Sequence, residues 1–287
     1  MRLLLVHGRA QEGKSSASIE AEWLRPLRRG IVAAGLTEPS WSRKDVPFYG
    51  NDLKALVDSY DLPPGDEIET RGGAVEDEYS RFLAEVAIEA RDTNKASEAD
   101  IERELGPGPE TRGPENWKWV QAVIRAIDRG TPNVSNNAVG VLLRDVFIYV
   151  NFGTVQRKIN QIVAEAVTDE RTVAVGHSLG SVVAYEVFRE RGATNIARYV
   201  TVGSPLGIRA IRRRLQSPLT MPVGVADWFN ARDARDVVAL YPLDGGNFDI
   251  NPSVRNYSDV TNHTDNRHGI DGYLDNADVA KAICDAV

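Results

Sequence analysis

The sequence predicts an α/β protein with a mostly parallel central sheet covered by helices on both faces. Short apolar, β-rich segments alternate along the chain with longer amphipathic segments of helical period, as crossover helices between parallel strands require. The 287 residues, 42% of them hydrophobic, are enough to bury such a sheet on both sides. The single cysteine, Cys284, excludes an intrachain disulfide framework, so packing has to hold the fold together.

The first part of the chain predicts two strands around one helix. Residues 2–6 are apolar and predict a buried strand, and residues 18–34 carry apolar side chains at helical spacing. Gly35 is a suitable cap for the end of that helix. Residues 40–49 predict a second strand and its exit loop, where Pro47 favours the edge or end of a strand.

After residue 50 the composition changes to acidic helical segments separated by Pro- and Gly-rich stretches. Residues 65–135 are therefore predicted to form a helical, lid-like insertion over the top of the sheet, within a single domain of residues 1–287. The apolar faces of these helices have two interpretations. They line a substrate pocket, or they only pack the insertion onto the core.

The second half of the chain predicts the remaining strands and helices. Residues 141–150 are apolar and fit either a strand or a helix, whereas residues 154–167 predict an amphipathic helix. Further strands are predicted at 172–175, 196–205, 223–230 and 254–261, and further helices from about 181, at 208–215 and at 276–285.

Charge and hydropathy exclude several classes of protein. A net charge of −7 argues against general nucleic-acid binding, which needs a basic footprint. The apolar start of the chain is too short for a secretory signal, and no stretch approaches the roughly 20 apolar residues of a membrane span. We expect a cytoplasmic, soluble protein without metal or cofactor.

Arginines between 209 and 214 form a basic cluster with two interpretations. They contact an anionic substrate or membrane headgroups, or they form a solvated face.

Residues 176–180, Gly-His-Ser-Leu-Gly, follow one predicted strand and precede a helix. A serine between two glycines at such a turn is typical of a nucleophile elbow, although the pattern also occurs in ordinary turns. Glycines are needed because the turn is tight and strained. The elbow would hold the Ser178 hydroxyl at the top of the sheet, beside a helix N-terminus that favours developing negative charge.

A serine hydroxyl is a weak nucleophile, so it needs a base and an acid that orients the base. Four histidines are available. His177 adjoins Ser178, so its side chain should point away, and His7 belongs to the turn after the first strand. His263 and His268 remain, and we favour His268 because it directly precedes the terminal helical region.

The acid is expected between the serine and the histidine, in the loop after the penultimate strands. Asp233 and Asp236 both qualify. We favour Asp236 because the two valines that follow it can anchor the loop. The resulting order of Ser, Asp and His differs from the orders of chymotrypsin and subtilisin.

Residues 8–15 formally match the phosphate-binding pattern G-x-x-x-x-G-K-[ST]. In that interpretation Lys14 meets the outer phosphates and Ser15 binds magnesium. Glu12 counts against it, because a carboxylate would lie in a loop meant for a polyanion, and so does the lack of an apolar strand that ends in Asp. A nucleotide-binding protein nevertheless stays an alternative.

The same stretch has a second interpretation, as the His-Gly turn after the first strand of an esterase-like sheet. A backbone N–H just after His7 and Gly8 can then form half of an oxyanion hole. Arg9 is the first candidate donor and Ala10 the second. The plain structural alternative is a glycine turn in which His7 satisfies loop carbonyls.

Taken in order, segments 6–8, 175–180, 202–206, 230–238 and 268–274 resemble the α/β-hydrolase superfamily in its lipase and esterase branch. The resemblance covers about 1–50 and 140–287, and residues 51–139 match no pattern of the family that we can place. It implies a serine hydrolase that cleaves carboxylic esters, including lipid esters, or else an amide or peptide bond. A catalytically inactive binding protein on the same fold is a further alternative. The implied roles are Ser178 as nucleophile, Asp236 as acid, His268 as base, oxyanion donors at Leu179 and near Arg9, and a substrate border formed by His7, Gly8 and His177.

Overall fold

The computed structural model describes residues 1–64, 74–93, 95–106, 113, 116–129, 138–192 and 194–286. Within these residues one six-stranded sheet forms, in which every neighbouring pair of strands is parallel, in the order β2-β1-β3-β4-β5-β6. The strands are β1 (Arg2–Val6), β2 (Arg43–Asp45), β3 (Thr172–His177), β4 (Ile196–Val202), β5 (Trp228–Ala231) and β6 (Arg255–Tyr257). The predicted α/β class and the parallel sheet are confirmed.

Eleven α-helices occur in the same described ranges. They are α1 (Ser16–Ala33), α2 (Gly50–Asp58), α3 (Ala74–Asp92), α4 (Glu98–Leu105), α5 (Trp117–Arg129), α6 (Ala138–Asn151), α7 (Gly153–Ala166), α8 (Leu179–Arg191), α9 (Arg209–Arg212), α10 (Ile270–Leu274) and α11 (Ala277–Cys284). None of these helices is both long and apolar enough to cross a lipid bilayer.

The two faces of the sheet belong to two separate hydrophobic cores, as the alternation of side chains along β1 shows. Leu3 and Leu5 pack with α1, α10 and α11, whereas Leu4 and Val6 pack with the helices from α2 to α9. All four leucine and valine side chains are buried. Burial on both faces explains why the central strands β1, β3 and β4 are mostly apolar, whereas the edge strands β2 and β6 are polar and partly exposed.

The structure identifies one ambiguous segment as a helix and shortens one predicted strand. Residues 141–150 lie within helix α6, where Leu142, Val146 and Val150 are buried at helical spacing. Strand β5 begins at Trp228 rather than at 223. Val223 is exposed, and Gly224 has a φ of 84° in a tight turn against Thr194, which breaks the extended chain before β5.

The described part of the 65–135 region consists of helices α3, α4 and α5. Residues 65–73, 94, 107–112, 114–115 and 130–135 of this region lie outside the described residues. Polar side chains also connect this region to the rest of the fold, among them Glu85, which forms an ion pair of 3.7 Å with Arg214. Glu89 accepts hydrogen bonds from the N–H groups of Arg209 (3.0 Å) and Ala210 (3.2 Å), and Lys95 donates to the carbonyl of Ala234. A lid role for the region stays a prediction.

Candidate active site

Ser178 alone joins strand β3 to helix α8, and the turn around it has no space for larger residues. Its backbone is strained, with φ 54° and ψ −131°. A Cβ on Gly180 would lie 2.2 Å from the carbonyl oxygen of Val6, and one on Gly176 would lie 2.8 Å from the Cα of Ser181. The glycines therefore allow α8 to approach β1, and the serine is held at the carboxyl end of the sheet.

The Ser178 hydroxyl lies at one end of a continuous chain of hydrogen bonds. Its Oγ is 2.8 Å from Nε2 of His268, and Nδ1 of His268 is 2.8 Å from Oδ2 of Asp236. With a neutral ring, the hydroxyl donates to Nε2 and the Nδ1–H donates to the carboxylate. This geometry lets the imidazole take a proton from the serine while the carboxylate holds the ring in one tautomer.

Asp236 is completely buried, yet several donors surround its carboxylate. Oδ2 accepts hydrogen bonds from His268 and from the Tyr273 hydroxyl (2.6 Å), and Oδ1 accepts one from the N–H of Val238 (2.8 Å). Burial disfavours the ionised form, but the adjacent imidazole and these hydrogen bonds outweigh it. Together they hold the pKa of Asp236 below its ordinary value.

The other candidates for acid and base lie elsewhere. Both carboxylate oxygens of Asp233 accept backbone N–H bonds, from Arg235 (2.7 Å) and Asn262 (2.9 Å), so this buried residue organises its loop. His263 is exposed, and its Nε2 lies 2.7 Å from Asp275. Of the four candidates, the structure brings His268 and Asp236 together with Ser178.

The predicted oxyanion donors flank the serine from two sides. Leu179 is the first residue of α8, where an N–H has no intrahelical acceptor. On the other side, a Cβ on Gly8 would lie only 3.0 Å from Cβ of Ser178. Arg9 and Ala10 follow in the same loop, which is fixed by an ion pair of 2.7 Å between Arg9 and Asp145 of α6. The backbone of both turns thus closes around the serine.

His7 is buried behind the wall of the site rather than within it. Its Nδ1–H donates to the carbonyl of Gly8 (2.7 Å), its Nε2 accepts from the N–H of Tyr49 (3.2 Å), and its ring stacks on the Tyr49 ring. Burial lowers the pKa of His7 to about 4. The ring therefore stays neutral and shapes the Gly8 turn, which is an indirect contribution to a substrate site.

His177 turns away from the Ser178 hydroxyl and bonds the backbone of the candidate base. Its Nε2–H donates to the carbonyl oxygen of His268 (2.8 Å), and its ring lies near those of Trp23 and Tyr273. Burial, followed by the proximity of His268, lowers the pKa of His177 to about 3. A neutral His177 thus holds the loop that carries His268 while also lining the cavity described next.

A cavity of about 290 Å³ opens at Ser178 and His268. Its apolar lining consists of Trp23, Val139, Leu142, Val237, Val238 and Ile270, and its polar lining of Arg9, Gln11, Lys14, Glu22 and Asn266. A second, very narrow apolar cavity of about 10 Å³ shares four of these apolar residues and continues between α3, α5, α6 and α9. The space near the serine is therefore lined by both apolar and polar side chains, and four of the apolar ones also border the second cavity.

In the phosphate-binding interpretation of residues 8–15, Lys14 and Ser15 would contact the ligand, but in the structure both side chains bond to neighbouring residues of the chain. Nζ of Lys14 forms an ion pair of 2.6 Å with Glu22, and the Ser15 hydroxyl accepts the N–H of Ser18 as the N-cap of α1. Among the described residues, no cluster of His, Cys, Asp or Glu could hold a metal ion.

The four arginines between 209 and 214 do not form one solvated face. Arg212 and Arg214 donate hydrogen bonds to Asn247 and Asn151, whereas Arg209 and Arg213 are exposed.

Two contributors to the site received no role from the sequence. Tyr273 donates to Asp236, and Gly203, at a φ of 59°, leaves space for two rings. A Cβ on Gly203 would lie 3.0 Å from the Tyr273 ring and 3.1 Å from the His268 ring. The position of Gly203 near the end of a predicted strand could have drawn attention to it, whereas no sequence signal distinguishes the Tyr273 hydroxyl.

Comparisons with known proteins found no family model that matches the chain and no curated protein that matches it. Function therefore has to be inferred from the geometry of the side chains.

Proposed function

We propose that the protein is a serine hydrolase of the α/β-hydrolase superfamily that cleaves carboxylic esters through an acyl-enzyme on Ser178. The observation that carries the proposal is the unbroken hydrogen-bond chain from Ser178 through His268 to Asp236 at the mouth of a cavity. The parallel sheet and the strained serine between β3 and α8 support the same class of protein.

In the first half of the reaction, Ser178 Oγ attacks the ester carbonyl carbon and gives its proton to Nε2 of His268. Asp236 stabilises the imidazolium that forms. The carbonyl oxygen becomes negatively charged, and the N–H groups of Leu179 and Arg9 donate to it. His268 then gives the proton to the departing alcohol oxygen as the C–O bond breaks.

In the second half, a water molecule attacks the acyl-enzyme. His268 takes a proton from this water and returns it to Ser178 Oγ as the acid product leaves. The start of α8 contributes throughout, because its partial positive charge lies beside the developing oxyanion. No step requires a metal or a cofactor.

The cavity indicates which esters fit. At about 290 Å³ it is near the lower end of the roughly 300–1,000 Å³ typical of small-molecule pockets, so a short or medium acyl chain fits better than a long one. We assign the acyl chain to the apolar residues that also border the second cavity, such as Leu142 and Val238, and the alcohol to polar lining residues such as Gln11 and Asn266. A longer chain would have to widen the narrow second cavity.

The proposal is tested with a fluorophosphonate probe and a panel of p-nitrophenyl esters from acetate to palmitate. The probe should label the wild-type protein and not Ser178→Ala, whose kcat/KM should fall by about 10⁴-fold or more. Ser15→Ala is the matched control and should keep both labelling and turnover, because its hydroxyl only caps α1.

Labelling that persists in Ser178→Ala would contradict the nucleophile assignment. Absence of both labelling and turnover in folded wild-type protein would instead indicate a catalytically inactive binding protein. A kcat/KM that rises steadily toward palmitate would contradict the proposed chain-length range, and turnover of amide but not ester substrates would move the activity to the peptidase alternative.

A further inference from the structure

The carboxylate oxygen that orients His268 has a second donor. Oδ2 of Asp236 accepts hydrogen bonds from Nδ1 of His268 at 2.8 Å and from the Tyr273 hydroxyl at 2.6 Å. Tyr273 is itself fully buried, and its hydroxyl oxygen accepts the N–H of Asp233 (3.2 Å). The tyrosine hydroxyl proton is therefore directed to the same oxygen that holds the base.

The fold keeps this tyrosine in place and protonated. Gly203 leaves the space into which both the Tyr273 and His268 rings fit, and His177 packs near the same two rings. Burial, followed by the charge of Asp236, raises the pKa of Tyr273 well above its ordinary value, so the hydroxyl remains a donor.

We propose that Tyr273 is a positioning residue that sets how strongly Asp236 holds His268, because the two donors share one carboxylate oxygen. A hydrogen bond from tyrosine draws electron density from Oδ2 and weakens its hold on the imidazolium. Without that bond, Oδ2 stabilises the protonated ring more strongly, and His268 should lose its proton only at higher pH.

Other ionisable groups also face this network. They are His177 at the end of β3, Arg232, Asp233 and Arg235 in the loop after β5, Lys95 between α3 and α4, and Arg267 before α10. The same groups are present in wild type and in Tyr273→Phe, although the variant also leaves the N–H of Asp233 without its tyrosine acceptor. A shift between wild type and Tyr273→Phe therefore reports on that hydroxyl.

The kinetic test measures the pH dependence of kcat/KM for a p-nitrophenyl ester, and this part depends on the proposed hydrolase function. In Tyr273→Phe the acidic midpoint of the profile should move upward by roughly half a pH unit to one unit, which is part of the effect of one hydrogen bond to a charged group because it reaches His268 only through Asp236. Tyr257→Phe is the matched control, since it removes a 2.8 Å hydroxyl bond to the surface residue Asp278. Its midpoint should not move.

A second measurement does not depend on activity. NMR of histidine-labelled protein follows the titration of the His268 ring, assigned with His268→Gln, and its midpoint should rise in Tyr273→Phe. Site-specific 3-fluorotyrosine at position 273, a more acidic and stronger donor, should move the same midpoint downward. A purely structural role of Tyr273 would not move the His268 midpoint in opposite directions when the hydroxyl donor is removed and when it is strengthened.

The outcomes separate the two proposals. An unchanged His268 midpoint in both altered proteins overturns the role of Tyr273, whatever the activity. If Tyr273→Phe does not fold, the fluorotyrosine protein decides alone. A shifted midpoint in a protein that neither labels nor turns over esters supports the role of Tyr273 and contradicts the hydrolase function.

Discussion

Two glycine-rich turns in this protein each follow a buried parallel strand and lead into a helix, but the serine hydroxyls in the two turns have different kinds of hydrogen-bond partner. After β3, Ser178 alone makes the connection, with a φ of 54°, and its hydroxyl bonds His268. After β1 the connection runs to Ser15, which has a φ of −132° and whose hydroxyl bonds the N–H of Ser18 in its own helix.

The difference shows that the length of the turn decides what the serine can do. A longer connection lets Ser15 adopt the extended backbone of an N-cap, so its oxygen is used locally. A one-residue connection forces Ser178 into a left-handed conformation without a cap hydrogen bond. Its hydroxyl is then available to a residue from a distant loop.

The largest expected effect concerns the glycines of the two turns. Gly180→Ala should lower the free energy of unfolding by about 3 kcal/mol or more, because its Cβ would lie 2.2 and 2.4 Å from the carbonyl oxygens of Val6 and His7. Gly13→Ala, in the longer turn, has no atom within 4 Å of its Cβ but a φ of 76°, so it should cost only about 1 kcal/mol. Urea denaturation measures both.

Equal losses for the two alanine variants would show that strain, rather than close approach of α8 to β1, determines the glycine requirement. The m-value serves as the control, since an unchanged slope indicates that the folded and unfolded states expose the same surface difference in each variant.

The next effect concerns His7, which precedes Gly8 and is buried in neutral form. The pKa of His7 is lowered by burial to about 4, against an ordinary value of 6.5. The unfolded chain therefore binds a proton below pH 6.5 that the folded protein does not bind until about pH 4. Stability should fall as pH falls through that window, by up to about 3 kcal/mol from this residue.

His7→Asn should reduce this acid sensitivity, because asparagine can still donate to the Gly8 carbonyl but does not titrate. Thermal unfolding between pH 7.5 and pH 4 measures it, with the exposed His263→Asn as control. Glu186 acts in the opposite direction. Burial raises its pKa to about 7, so the folded protein keeps a proton that the unfolded chain loses above about pH 4.5, and stability falls as pH rises through that window. The difference between wild type and variant isolates His7.

The smallest effect separates the two serines. Ser178→Gly should be more stable than Ser178→Ala by about 1 kcal/mol, because both lack the hydroxyl and glycine tolerates the positive φ. At position 15, alanine should cost about 1 kcal/mol through loss of the cap. If Ser178→Ala equals Ser178→Gly in urea unfolding, the strain assigned to the elbow is wrong.

Much of the fold could be predicted because its signals are local. The apolar strand at 2–6 and the helix at 154–167 follow from side-chain periodicity, and α11 differs from its predicted range by only one residue at each end. Residues 141–150 were ambiguous because a short apolar run fits a buried helix as well as a buried strand. Only packing against neighbouring helices shows that they form α6.

The sequence alone determined the order of the candidate residues, since glycines at 176 and 180 mark a tight turn, two histidines follow it, and two aspartates lie in the loop where the acid is expected. The two valines after Asp236 favoured it over Asp233, but both residues lie in one loop, and the choice depends on which carboxylate faces His268. The tertiary structure decided that choice, and it brought Tyr273 to the same oxygen. Contacts between residues 32 to 90 positions apart leave no periodic trace in a single sequence.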